Sequence, residues 1–154
     1  MCADSEAYER ERRAASVILA HPGGPFWSSR DLNAWTIPKG LAENDEDPLA
    51  AAVREFEEET TMRPEGPFLP LGRIRQKAGK LVRAWAWEGE ADPRQVRSNL
   101  MRAEWPRGSG RWLNFPEVDR CQWVDARNAR QKINPAQAEL IDRLEAALSD
   151  DAPS

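Results

Sequence analysis

Between residues 40 and 62 the chain reads GLAENDEDPLAAAVREFEEETTM. Within it Glu55, Glu58 and Glu59 fall on an arc of roughly 100° if the segment is helical. Like charges three and four positions apart repel and weaken an isolated helix. A hard divalent cation removes that penalty, because it takes oxygen ligands and keeps waters and phosphates in its shell. Arg54 stands one turn before Glu58, where it can hold an acid in place. A solvated acidic face is the usual meaning of a charge run. That reading explains the acids but not Gly40, Glu46 and Arg54 at their distances. Six specified residues at ordinary usage coincide by chance in about one of ten million windows.

A helix must carry these groups, and the local residues supply one. Asp47 suits an N-cap and Pro48 the first helical position. No Gly or Pro interrupts Leu49 to Thr60. Leu49, Ala52, Val53, Phe56 and Thr60 share one side and are the expected inner face, with Glu57 pointing away from both. Proline disfavours helical geometry in the residue before it, so Arg63-Pro64 ends the run.

Around the helix the pattern is that of alternating strands and helices. Ala14–Ala20 reads as a strand, broken by His21-Pro-Gly-Gly-Pro, and Trp35–Pro38 as a short extended piece. Phe68–Gln76 and Leu81–Trp87 read as paired strands across a Gly-containing turn. Residues 89–114 read as loops with one short helix near Pro93–Arg97. Cys121–Val124 is a strand. Asp125 caps a short helix, and Asn134-Pro135 opens a last helix to about Leu148.

The acidic segment resembles the Nudix box, and the chain as a whole is similar to small bacterial Nudix hydrolases. The flanking HPGGPFW, WTIPKG, LGRIRQK and FPEVDR segments extend the likeness from about Ala15 to the last helix. The resemblance implies an α/β fold, the Nudix α/β/α sandwich with a mixed sheet between helices. It implies Mg²⁺- or Mn²⁺-dependent pyrophosphohydrolase activity on a nucleoside diphosphate derivative. Glu55, Glu58 and Glu59 would hold the metal, joined by the Lys39 carbonyl. Glu55 or Glu117, which resembles a late-loop glutamate of the family, would be the base. Arg54 and Glu46 would position the ligands. WTIPKG is closer to the dinucleoside-polyphosphate and diphosphoinositol hydrolases than to nucleotide-pool cleaners. Dinucleoside polyphosphates are therefore ranked first and nucleoside triphosphates second, with a non-catalytic nucleotide-sensing module as the alternative class.

Two departures from the family pattern stand out. Thr61 occupies a position where relatives carry glycine. If Thr61 is left-handed there, Thr61→Gly should relieve strain and raise the melting temperature slightly. Residues 1–13, MCADSEAYERERR, form a charged arm where the family has an apolar strand.

Other residues carry weaker signals. The Lys39 side chain, together with Arg75 and Lys77, which share a strand face with Arg73, could contact a polyphosphate. The lone His21 reads as a turn residue rather than a catalyst. Trp85, Trp87 and Trp123 are expected in or near the core, while Trp27, Trp35 or Trp112 could stack on a base.

Composition sets the outer limits. A chain of 154 residues fits one domain, expected over residues 14–149 with a frayed tail at 150–154. A net charge of −4 argues against a general nucleic-acid binder, so the expected partner is a small nucleotide. Monomer and homodimer are both compatible with it. Cys2 and Cys121 are too few for a disulfide framework, and neither a signal peptide nor a membrane-length apolar run is present. A cytoplasmic setting is expected.

Overall fold

A computed structural model describes residues 16–39, 45–76 and 79–150. The charged arm, Ala14, Gly40, Lys77 and residues 151–154 lie outside the described residues. Strand β1 (Ser16–Pro22) pairs antiparallel with β6 (Val118–Asp125). The register slips between His21 and Pro22, where proline has no N–H to give. Two isolated bridges widen this layer. Ala20 meets Thr36 in antiparallel sense and Trp35 meets Ile133 in parallel sense. Leu19, Trp35, Val124, Ile133 and Ile141 form the main core around it.

Helix α1 (Pro48–Thr60) leads to β2 (Phe68–Arg75), which pairs with β3 (Leu81–Trp87) as expected. Phe56 meets Trp87 edge to face, with centroids 5.9 Å apart, and this docks α1 on β3. Helix α2 (Ala126–Lys132) buries Ala126 and Ala129. Helix α3 (Ala138–Asp150) packs Leu140 on Ile74 and Ala84. Its Arg143 donates to the carbonyls of Leu71 and Arg73 at 2.8 and 2.9 Å. Asp150, assigned to the frayed tail, ends this helix.

The α/β class holds, and several finer expectations change. Among the described residues the strands form three antiparallel two-stranded ladders, and the parallel component is a single bridge. Residues 89–114 are not mainly loop. A one-turn 3₁₀ segment at Pro93–Gln95 is followed by a hairpin of β4 (Leu100–Glu104) and β5 (Trp112–Pro116). Both strands are largely exposed, so they lack the in–out alternation that marks a strand in sequence. Trp123 is 42 % exposed and donates Nε1–H to the Ala91 carbonyl. Trp35 cannot stack on a base, because it is 1 % exposed and sits in the core.

Candidate active site

Local chemistry builds α1 as expected at both ends. Asp47 Oδ2 accepts from the Ala50 amide at 3.1 Å, with Pro48 at the first position. Thr61 closes the helix in a left-handed conformation (φ 63°, ψ 9°), its amide donating to the Glu57 carbonyl at 2.8 Å. The inner face is rotated from the expected one. Ala51, Glu59 and Thr60 are buried, whereas Leu49 and Val53 are only half-buried. The rotation carries a carboxylate inward.

Arg54 gathers the other acids. Its Nε and Nη2 donate to the two Glu46 oxygens at 2.8 and 2.9 Å. Nη1 reaches Glu55 at 3.1 Å and Glu58 at 3.3 Å. A planar guanidinium offers a fork of donors that a lysine could not.

Glu59 is 4 % exposed. Burial, then the charges of Glu117 and Glu55, push its carboxyl up to about 7, while the backbone amide and charge of Lys39 pull the other way. Those influences place Glu55, Glu59, Glu117 and Lys39 around one spot. Lys39, Glu59 and Glu117 line a cavity of about 310 Å³, the size of a small-ligand site.

Glu117 is held by its backbone. Its amide donates to the Asn99 carbonyl at 2.8 Å, and its carbonyl accepts from the Gly23 amide at 3.0 Å. That contact requires glycine, since a Cβ on residue 23 would stand 1.8 Å from the Pro116 carbonyl oxygen. A Cβ on Gly24, which has φ +97°, would meet the Phe115 ring at 2.8 Å. The HPGGPFW segment therefore lies flat against the end of β5.

The cavity lining is otherwise largely apolar. Phe26 and Trp27 come from the loop after β1; Met101, Trp105 and Phe115 come from the hairpin. Sequence reasoning missed the three hairpin residues. The signal was there in part, since Met101, Ala103 and Trp105 alternate on one strand and Phe115 and Glu117 on the next. His21 stands outside the cavity lining. It is fully buried in β1, its Nε2–H donating to the Arg30 carbonyl at 2.6 Å and its Nδ1 lying 3.0 Å from Asp119. Trp112 lies outside the lining as well. Arg75 is exposed on β2 and does not line the cavity, so the structure does not bring it to Lys39.

Among the described residues no three acidic, His or Cys side chains converge tightly enough to cage a cation as they stand. Glu55 and Glu58 are turned toward Arg54 instead. The donor set nevertheless suits a hard divalent ion. It is all oxygen, and it includes one buried carboxylate whose charge is disfavoured by two others.

A family model described as the NUDIX domain matches residues 10–144. The chain belongs to the Nudix family. A relative from Roseobacter denitrificans called RNA pyrophosphohydrolase is 31% identical, over 89% of this chain and 93% of its own. One of the same name from Rhodospirillum rubrum is 27% identical, over 90% and 87%. Among solved structures, the fold is similar to the solution structure of the E. coli ORF135 protein, with TM-score 0.59, 19% identity, and 90% and 86% coverage. It is equally similar to a C. elegans Ap4A hydrolase, with TM-score 0.59, 20% identity, and 88% of each chain covered. These two show the fold alone. The chain is a Nudix hydrolase, a pyrophosphohydrolase by family and relatives. Among the described residues no helix of the enzyme is long and apolar enough to cross a membrane.

Proposed function

We propose that this Nudix hydrolase cleaves a phosphoanhydride in the 5′-polyphosphate of a nucleotide, with the triphosphate end of RNA as the favoured substrate. One observation carries the reading: a single cavity is lined both by the charged Glu59, Glu117 and Lys39 and by aromatic Phe26, Trp27, Trp105 and Phe115. A nucleoside polyphosphate combines the same two chemistries, charged phosphates and a flat base. Two relatives matched over most of their length bear the RNA pyrophosphohydrolase name, which supports RNA as the first reading. Dinucleoside polyphosphate hydrolysis is the second reading, favoured by the WTIPKG approach to the helix.

Glu55, Glu58, Glu59 and the Lys39 carbonyl would hold Mg²⁺ or Mn²⁺, which supplies charge neutralisation at the phosphates and a more acidic water. Arg54 orients Glu55 and Glu58 and sets how far they reach. The Lys39 ammonium meets phosphate oxygens as a point charge. Glu117, fixed through its backbone and facing the cavity, accepts the proton of the attacking water at a carboxylate oxygen. Water adds to phosphorus as the P–O–P bond breaks. From a triphosphate end the products are pyrophosphate and a 5′-monophosphate.

The test is product analysis with divalent cation on wild type and Glu58→Gln. That substitution keeps shape and removes a charged oxygen. Turnover of 5′-triphosphorylated RNA to pyrophosphate, lost at least a hundredfold in the variant, is the expected result. A near-full rate in Glu58→Gln at saturating metal refutes the assigned site.

A further inference from the structure

The β4–β5 hairpin has two faces with different chemistry. The inner face lines the cavity through Met101, Ala103 and Trp105. The outer face and the tip are basic and aromatic. Residues 97–116 contain four arginines, Arg97, Arg102, Arg107 and Arg111, against one carboxylate, Glu104, in a chain whose net charge is −4. That carboxylate is already engaged, because it accepts from the Gly108 amide across the turn. All four arginines are exposed.

Arginines elsewhere divide. Arg54, Arg63, Arg94, Arg120, Arg130 and Arg143 each form a salt bridge with a carboxylate. Among the described residues Arg30, Arg73, Arg75, Arg83 and Arg127 form none, and neither do Arg97, Arg102, Arg107 and Arg111. Arg102 instead lies over the Trp112 ring, 4.9 Å from its centroid, and Trp112 is 55 % exposed. An exposed indole beside unneutralised guanidinium groups is how proteins hold single-stranded nucleic acid, with charge tracking the backbone and rings stacking on bases.

We propose that the outer face and tip of this hairpin bind the single strand that trails from a 5′-polyphosphate end seated in the cavity. The inference rests on the substrate reading above and extends it from the reacting phosphates to the nucleotides that follow. Continuity supports it. Trp105 closes the cavity on the inner face, and its amide bonds the Arg111 carbonyl at 2.9 Å at the base of the turn. A strand leaving the first nucleotide passes that lip and meets Arg107, Arg111 and then Arg102 with Trp112. The overall negative charge does not oppose this, because an exposed cluster acts locally and distant charges are screened beyond about 10 Å.

The experiment compares wild type with the triple variant Arg102→Ala, Arg107→Ala, Arg111→Ala. Substrates are ATP and 5′-triphosphorylated RNAs of two and eight nucleotides. A second measurement follows anisotropy of a labelled 5′-hydroxyl octanucleotide without divalent cation. In wild type KM for the octamer should lie about tenfold or more below that for the dinucleotide, and the triple variant should erase the gap with kcat and the ATP kinetics unchanged. Three phosphate contacts on a single strand predict a log–log salt slope steeper by about 2 in wild type. Trp112→Ala alone should weaken octamer binding by about tenfold. Equal KM for both lengths in wild type, or octamer binding undiminished in the triple variant, overturns the proposal. So does binding to anionic lipid vesicles with none to RNA. If wild type hydrolyses no triphosphate, the substrate reading fails, and the anisotropy comparison still decides the hairpin: arginine-dependent binding upholds it and its absence overturns it.

Discussion

Glu59 couples the stability of the metal-free enzyme to pH with a sign that can be worked out. Burial and the charges of Glu117 and Glu55 raise its carboxyl from the ordinary 4.5 to about 7. The folded state therefore binds more protons than the unfolded one between those values, and stability falls as pH rises through that window. Below it the contribution is fully present, and above it the loss is complete and flat. At about 1.4 kcal/mol per pH unit the loss comes to about 3 kcal/mol. Glu59→Gln keeps an acceptor for the Lys39 amide and cannot ionise. In EDTA the variant and wild type should match near pH 4.5, and the variant should be more stable by about 3 kcal/mol at pH 8. That is roughly 5–10 °C for a domain of this size. Thermal unfolding of both proteins at both pH values isolates the effect, since carboxylates that do not interact with Glu59 cancel in the difference. Saturating Mg²⁺ should shrink or reverse the gap, because a bound cation favours the ionised wild-type carboxylate. A pH-independent difference between the two proteins would mean that Glu59 is not held in a charge-averse site.

Thr61→Gly should lower the melting temperature by about 2–4 °C, opposite to the rise that backbone strain alone predicts. Relief of about 1 kcal/mol is outweighed by the Thr61 Oγ1 bond to the Gln95 carbonyl at 2.9 Å and by added unfolded-state entropy, each about 1 kcal/mol. A rise in melting temperature would sink that accounting. Cys121 is 4 % exposed, and burial pushes its thiol up to about 12. A thiol reagent at pH 8, with sites resolved by mass spectrometry, should label it only after denaturation. Labelling of Cys121 in the native protein at a free-cysteine rate contradicts that burial.

Sequence alone determined what depends on near neighbours. The N-cap of α1, its approximate length and the nearness of Glu55 and Glu58 to Arg54 all follow from residues a few positions apart, while the left-handed Thr61, an open alternative in the sequence, was decided by the structure. The β2–β3 hairpin and the capped start of α2 are legible for the same reason. Tertiary structure decided what depends on distant segments. Helical periodicity could not say that α1 would turn Glu59 inward, because Leu49 and Val53 look equally fit for burial until β3 and the loop at Lys39 are in place. Nor could spacing show that Gly23 must lie against Pro116 and so set Glu117 facing the helix. The net charge of the whole chain concealed an arginine-rich hairpin, since a sum over residues carries no positions. The β4–β5 strands escaped notice because both their faces are largely open. Hydrophobic alternation arises only where one face is buried, and here the second face meets a cavity rather than a core.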